Sequence, residues 1–239
     1  MAKKSVELFG TSFDISYEIL NSKEKQDLIV LHGWGSNKAL MKQSLGNTLK
    51  NYRHIYIDLP GFGNSTTQIE LNTQMYAQII EKFLELTDVQ KDIILGHSFG
   101  GKVATLLKPK LLVLVGSSGI LLPKPLTIRL KISLNSIFKK LGLGYFRRFF
   151  IADDAKNLPQ HMYETFKTVV NEDFSPDFKN YRGKTLLFWG KEDSATPLRA
   201  AKMIEEQIAD SKLFLYDGDH YFFMKRANEI TKEIENYIQ

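Results

Sequence analysis

The nine residues Ile93-Ile94-Leu95-Gly96-His97-Ser98-Phe99-Gly100-Gly101 join the end of a strand, a sharp turn and the start of a helix. Ile93, Ile94 and Leu95 form the short apolar run that fills a strand covered on both faces. Gly96, Ser98 and Gly100 follow with the G-x-S-x-G spacing that puts a serine at the apex of a strand-to-helix turn. A Cβ two residues to either side of that apex would collide with the neighbouring strand or helix, so glycine is required there. Ser98 itself is expected in a strained backbone conformation, with its Oγ lifted above the sheet edge toward the N-terminus of the next helix. Unpaired N–H groups and the helix dipole favour negative charge at that point.

Working outward, strands and helices alternate. Asp27–Leu31 is a continuously apolar strand that runs into His32-Gly33-Trp34-Gly35. Leu40, Met41, Leu45 and Leu49 carry helical spacing over 38–50, and residues 54–57 form the next strand. That strand ends in the glycine-rich turn Asp58-Leu59-Pro60-Gly61-Phe62-Gly63-Asn64-Ser65. Met75, Ile79, Phe83 and Leu86 mark a helix over 73–87, and Leu111–Val115 is the strand after the Ser98 turn. Upstream, 6–9 and 13–19 read as a hairpin joined through Gly10-Thr11-Ser12. Downstream come a strand at 185–189, a loop holding Asp193, a helix at 197–208 with Pro197 in its first turn, and a strand at 212–216. A loop holding His220 and a closing helix at 228–238 complete the chain.

This order predicts an α/β fold: a mostly parallel central sheet with right-handed crossovers and helices on both faces. Ligands bind such sheets beyond the carboxyl ends of the strands. All three glycine-rich turns follow strands, so they share that edge and form one site. The rhythm is lost over 118–180. The expected organisation is therefore a core of residues 1–117 and 181–239, with 118–180 as a mainly helical lid inserted over the active edge.

Composition narrows the classes. The 239 residues suffice for one domain carrying an insertion, and 43% apolar with 25% charged residues is ordinary for a globular protein. No cysteine is present, which excludes disulfides and thiolate metal sites and suits a reducing, cytoplasmic setting. Charged and polar residues follow Met1-Ala2-Lys3-Lys4, so neither a secretory signal nor a transmembrane segment is expected. The histidines lack H-E-x-x-H or comparable spacing, and no Walker loop or dinucleotide fingerprint occurs, so no metal and no cofactor is expected.

Ser98, Asp193 and His220 occur in the order nucleophile, acid, base, each just after a predicted strand. A serine hydroxyl is a poor nucleophile at neutral pH and needs an imidazole to take its proton. The imidazole needs a carboxylate to fix its tautomer and stabilise its charged form. Glu192 and Asp217 are rival acids for that role. In this order the chain resembles the α/β-hydrolase superfamily, in the lid-bearing branch of carboxylesterases and carbon–carbon bond (meta-cleavage product) hydrolases. Five segments carry the resemblance: 32–35, 58–65, 96–101, 190–197 and 217–220. It implies the α/β-hydrolase fold and an oxyanion hole built from the backbone N–H groups of Trp34 and Phe99. Beside it, His32 is expected to brace the oxyanion loop through hydrogen bonds, Asp58 and Ser65 to be structural turn residues, and His97 to point elsewhere. Many relatives have glycine before the catalytic histidine. Here Asp219 stands there, a carboxylate able to raise the pKa of His220 or to compete with Asp193 for it.

Within 118–152, Lys124, Arg129, Lys131, Lys139, Lys140, Arg147 and Arg148 occur with no Asp or Glu. Leu126, Leu130, Leu134, Phe138 and Leu141 fit an amphipathic lid helix with a basic outer face, although 126–134 also alternates like a strand. The basic face is either simply solvated or a docking surface for an anionic substrate, anionic lipid or acidic carrier protein. Nucleic acid is not expected, because Tyr145, Phe146, Phe149 and Phe150 cluster instead of interleaving with the cations. The leading functional expectation is an esterase acting on a small-molecule acyl substrate through an acyl-enzyme. Cleavage of the carbon–carbon bond of 2-hydroxy-6-oxo-dienoates is the alternative within enzymes. A binding protein on a hydrolase scaffold is the alternative outside them.

Overall fold

The computed structural model describes residues 2–122 and 158–238. Strands β1 (Ala2–Leu8) and β2 (Thr11–Leu20) pair antiparallel as a hairpin. The remaining strands are β3 (Asp27–Leu31), β4 (Arg53–Ile57), β5 (Ile93–His97), β6 (Leu111–Val115), β7 (Lys184–Gly190) and β8 (Ser211–Tyr216). All eight make one sheet in the order β1-β2-β4-β3-β5-β6-β7-β8, with the six strands from β3 to β8 mutually parallel. The expected mostly parallel sheet is therefore present, with the antiparallel hairpin added at one edge through β2 and β4.

Helices α1 (Lys38–Leu45), α2 (Thr73–Leu86), α3 (Phe99–Leu107), α4 (Gln160–Val169), α5 (Ser175–Asn180), α6 (Leu198–Gln207) and α7 (Phe223–Ile238) complete the described elements. The two faces of the sheet can be read from alternate strand residues. Ile29, Ile94, Leu112, Leu114, Leu187 and Trp189 lie on the face covered by α2, α3 and α6. Leu28, Val30, Leu95, Val113, Leu186 and Phe188 lie on the opposite face, under α1 and α7. The central strands need apolar residues at every position because both faces are covered. In α2, Tyr76, Ile79, Ile80, Phe83 and Leu84 are buried at helical spacing, and Asn72 caps the helix by accepting from Met75 N. Each fully buried Ile or Phe side chain of that stripe contributes about 1.5–3 kcal/mol.

Strand β1 begins at Ala2, four residues before the expected start, and three further boundaries differ for reasons visible in the structure. The hairpin turns on Phe9 and Gly10, both with positive φ (52° and 72°), so Thr11 and Ser12 belong to β2. A two-residue turn with positive φ at both positions matches strand twist better than a three-residue loop. Helix α1 stops at Leu45, because Gly46 caps it onto Lys42 O and Leu49 takes a φ of 42°, which ends the run expected to reach residue 50. Helix α7 begins at Phe223, five residues before the expected start, since Phe223, Ala227, Ile230, Thr231 and Ile234 form one buried stripe.

Within 158–180, α4 and α5 pack into the core through Met162, Val169, Phe174 and Phe178. Leu71 N donates to Thr165 Oγ1 at 2.9 Å, and Phe174 N donates to Gly119 O at 2.8 Å. The lid cations from Lys124 to Arg148, the 126–141 helix and the aromatics 145–150 lie outside the described residues. No helix among the described residues is long and apolar enough to cross a membrane.

Candidate active site

Ser98 stands between β5 and α3 with φ 51° and ψ −116°, a conformation that favours glycine. Such strain costs about 1–3 kcal/mol and persists only where the surroundings impose it. Here Ser98 N donates to Val115 O at 3.1 Å, while Ser98 O accepts from Gly101 N at 3.0 Å and from Ser118 N at 3.1 Å. The flanking glycines are required by backbone contact. A Cβ on Gly96 would come within 2.6 Å of Gly101 Cα, and one on Gly100 within 2.6 Å of both Leu31 O and His32 O. Neither neighbour is a side chain that can swing aside.

Beyond β7 and β8 the loops bring Asp193 and His220 together. His220 Nδ1 lies 2.7 Å from Asp193 Oδ2, and Asp193's side chain has no exposure. Asp193 Oδ1 accepts from Ala195 N at 2.9 Å and Thr196 N at 2.8 Å, and Oδ2 accepts from Thr196 Oγ1 at 2.8 Å. Burial alone would raise the pKa of this carboxyl group. The hydrogen bonds from His220 and Thr196 outweigh it and hold the pKa below the usual aspartate value. With Asp193 ionised, the His220 proton sits on Nδ1 and Nε2 is the basic nitrogen.

The rival carboxylates are engaged elsewhere. Asp217 pairs with Lys191 at 2.7 Å, and Glu192 accepts from Gly218 N. Asp219 caps its own turn by accepting from Tyr221 N at 2.8 Å, so it does not compete for His220.

His97 departs from its expectation of pointing away. Its ring centroid lies 4.6 Å from that of His220, and its Nε2 lies 3.1 Å from His220 O. A carbonyl can only accept, so Nε2 carries the proton. Burial first, then the neighbouring His220, pushes the pKa of His97 down to about 3, so it stays neutral. His32 bridges two strand-end loops: Nδ1 donates to Gly33 O at 2.7 Å while Nε2 accepts from Leu59 N at 2.9 Å. Burial lowers its pKa to about 4, which keeps Nε2 free to accept. Asp58 accepts from Lys38 N and Asn64 N and forms a buried ion pair with Lys38, and Ser65 Oγ donates to Asp58 O at 2.7 Å. Both residues hold the turn after β4.

Ser98 and His220 open into one cavity of about 650 Å³, which Trp34 and Phe99 also line. The Trp34 ring packs on Phe62, Phe99 and Phe166 at 4.8, 5.7 and 5.3 Å between centroids. A depression of about 710 Å³ between Glu18 and Lys50 lies by α1 and contains neither Ser98 nor His220. No group of three His, Asp or Glu side chains among the described residues could hold a metal ion.

Two groups of site residues escape the sequence reading. Thr196 bridges Asp193 and Gly116 O (3.1 Å), yet the only trace of it in the sequence is its place before Pro197. Lys102 and Glu172 put an ion pair into the cavity wall, joined at 3.0 Å. A lysine in the otherwise apolar helix after the elbow hints at Lys102, whereas Glu172 reaches the site only through tertiary packing.

The chain is similar to an uncharacterized hydrolase of Bacillus subtilis, 25% identical over 95% of this chain and 94% of that protein. It is also similar to an Escherichia coli 2-hydroxy-6-oxononadienedioate/2-hydroxy-6-oxononatrienedioate hydrolase, 23% identical over 89% of this chain and 87% of that one. Among solved structures, an esterase from Exiguobacterium antarcticum superposes with a TM-score of 0.74 at 21% identity, covering 95% of this chain and 96% of that one. More than half of the chain, residues 28–168, matches the sequence model of the alpha/beta hydrolase fold, and the chain belongs to that family.

Proposed function

We propose that this α/β-hydrolase is a carboxylic ester hydrolase working through an acyl-enzyme, with Ser98 as nucleophile, His220 as base and Asp193 as the acid that orients it. The observation that carries this reading is the 2.7 Å Asp193–His220 hydrogen bond opening, with the strained Ser98, into one cavity. His220 Nε2 takes the Ser98 proton as Oγ attacks the ester carbonyl, and Asp193 stabilises the imidazolium. The backbone N–H groups of Trp34 and Phe99 receive the developing oxyanion, an effect of about 2.7–4 kcal/mol per donor. His220 then returns the proton to the leaving alcohol and activates water to release the acid. In this reading residues 1–117 and 181–239 supply the machinery, and 118–180 covers it.

The direct test is labelling with a fluorophosphonate and turnover of p-nitrophenyl esters. Label at Ser98 and burst-phase release of nitrophenol are expected, and both disappear in Ser98→Ala. A folded protein that takes no label at Ser98 refutes the acyl-enzyme and favours a binding protein on this scaffold.

The likeness to the dienedioate hydrolase supports a second reading, cleavage of a carbon–carbon bond next to a ketone. Turnover of a dienoate at a kcat/KM well above that of any simple ester would establish it over the esterase reading.

A further inference from the structure

Among the described residues that line the cavity with Ser98, Lys102 and Glu172 are the only lysine, arginine, aspartate or glutamate. Lys102 lies on α3 four residues after Ser98, roughly 6 Å along the helix axis. Trp34, Phe99, Ile120, Phe166 and Val169 supply apolar lining, while Ser117, Ser118 and Thr196 are polar but uncharged. Among the described lining residues the pair is therefore the one place, some way from Ser98, where a formal charge meets the cavity.

The two partners present themselves unequally. The Lys102 side chain is 2% exposed and that of Glu172 is 25% exposed. Lys102 Nζ donates to Val169 O at 2.6 Å and to Glu172 Oε2 at 3.0 Å, and sits 4.5 Å from the centroid of the Phe174 ring. Two of its three N–H donors are thus taken by the protein and its burial keeps the ammonium behind the wall; that burial draws its pKa below the usual lysine value while Glu172 works against the shift. Glu172 accepts from Thr73 N at 3.1 Å, from Thr73 Oγ1 and from Lys102. A carboxylate offers about four acceptor positions, so one remains toward the cavity. What meets a ligand at this end is an acceptor bearing negative charge, not the ammonium behind it.

Resting on the hydrolase reading above, we propose that Glu172 is a specificity-determining residue that selects esters carrying a hydrogen-bond donor, a hydroxyl or an ammonium, at the far end of their chain. An ω-carboxylate is rejected there, because it would meet Glu172 at close range with the Lys102 ammonium buried behind it. Like-charge juxtaposition and an unmatched buried acceptor both act against such a ligand. The ion pair with Lys102 fixes the glutamate in place, and Thr73 N holds its second oxygen.

The test uses methyl esters of ω-hydroxy, ω-amino and ω-carboxy acids of several chain lengths, with a matching series of acetates carrying the same groups on the alcohol side. Their dissociation constants are measured by calorimetry on Ser98→Ala, which needs no turnover, and kcat/KM is measured on the wild type. Donor-ended ligands of at least one series are expected to bind at least tenfold tighter than their ω-carboxy counterparts. In Glu172→Gln the uncovered charge of Lys102 reverses the order, raising affinity for the ω-carboxy ester at least tenfold. Equal or tighter binding of the ω-carboxy ligands in both series, or no binding of any, overturns the proposal. The wild-type comparison stands by itself if the variant fails to fold. A preference in binding with no hydrolysis by the wild type would refute the hydrolase reading and leave this one intact.

Discussion

Replacing Asp193 by Asn tests the orientation of His220 directly, because the surrounding hydrogen bonds dictate which way the new amide must lie. Asp193 Oδ1 accepts two backbone N–H groups, those of Ala195 and Thr196. An amide NH2 cannot sit opposite two donors, so the Asn oxygen takes that position and its NH2 replaces Oδ2. That NH2 then faces His220 Nδ1, which was 2.7 Å from Oδ2. A donor there turns Nδ1 into an acceptor and moves the imidazole proton to Nε2, the nitrogen needed as the base. The Thr196 hydroxyl can turn its one proton from that position to Gly116 O, 3.1 Å away, so the loop is retained. With the wrong tautomer and no counter-charge, kcat is expected to fall by up to about four orders of magnitude. That corresponds to roughly 5.4 kcal/mol at about 1.36 kcal/mol per tenfold. The assay is kcat on a p-nitrophenyl ester for Asp193→Asn beside Asp217→Asn and Asp219→Asn, with circular dichroism to confirm folding. The two control variants are expected within a few-fold of wild type. A folded Asp193→Asn that loses less than tenfold, or a larger loss in either control, refutes the reasoning.

Ser98→Gly relieves the strain that Ser98→Ala retains at φ 51°, so urea denaturation is expected to find the glycine variant more stable by about 1 kcal/mol or more; equal midpoints would mean the elbow is not strained. Thr196→Val removes the hydroxyl that donates to Asp193 Oδ2, and kcat is expected to drop about tenfold with KM nearly unchanged, Thr196→Ser restoring it. His32 and His97 stay neutral in the folded chain, with pKa values of about 4 and about 3, whereas unfolded histidines titrate near 6.5. The unfolded chain therefore binds protons that the folded chain refuses as pH falls below about 6.5. The thermal midpoint is expected to decline steadily from there toward pH 4, less steeply in His97→Phe. A midpoint that holds level across that window in the wild type would show that the two imidazoles are not buried neutral.

The sheet was legible because its signals are local. The apolar runs of four residues at 28–31 and five at 111–115 can be satisfied only by cover on both faces, and the glycine at 96 reports contacts made within its own turn. Boundaries were less legible where one residue could go either way. Leu49 continues the spacing of α1, yet Gly46 ends the helix, and the stripe that begins α7 at Phe223 is masked by the polar loop before it. Phe9 misleads in another way. A bulky residue with positive φ is not what a turn signal looks for, but strand twist demands it in a two-residue hairpin.

The site divides along the same line. Ser98, Asp193 and His220 could be ordered from sequence because each follows a strand, and a parallel sheet delivers all such positions to one edge. That rule locates loops, but it cannot say which atoms fill the space between them. His97 illustrates the gap. Two residues in succession on a strand point to opposite faces, which argues that the neighbour of a nucleophile is turned away. The elbow breaks the strand at Ser98, and the chain from β8 brings His220 back over the His97 ring instead. Lys102 and Glu172 are seventy residues apart, and neither is explained by its own neighbourhood in the chain. A lysine on the buried side of α3 is costly unless a carboxylate meets it, and burial of such a charge without a partner would be untenable. The presence of Lys102 in the sequence therefore demands an acid from some other part of the chain, without naming which. Only the packing of α4 against the core, through Thr165 and Leu71, decides that the acid is Glu172. In the specificity proposed above, substrate choice depends on a contact between the core and the residues just after α4, the kind of information that periodicity in either stretch cannot carry.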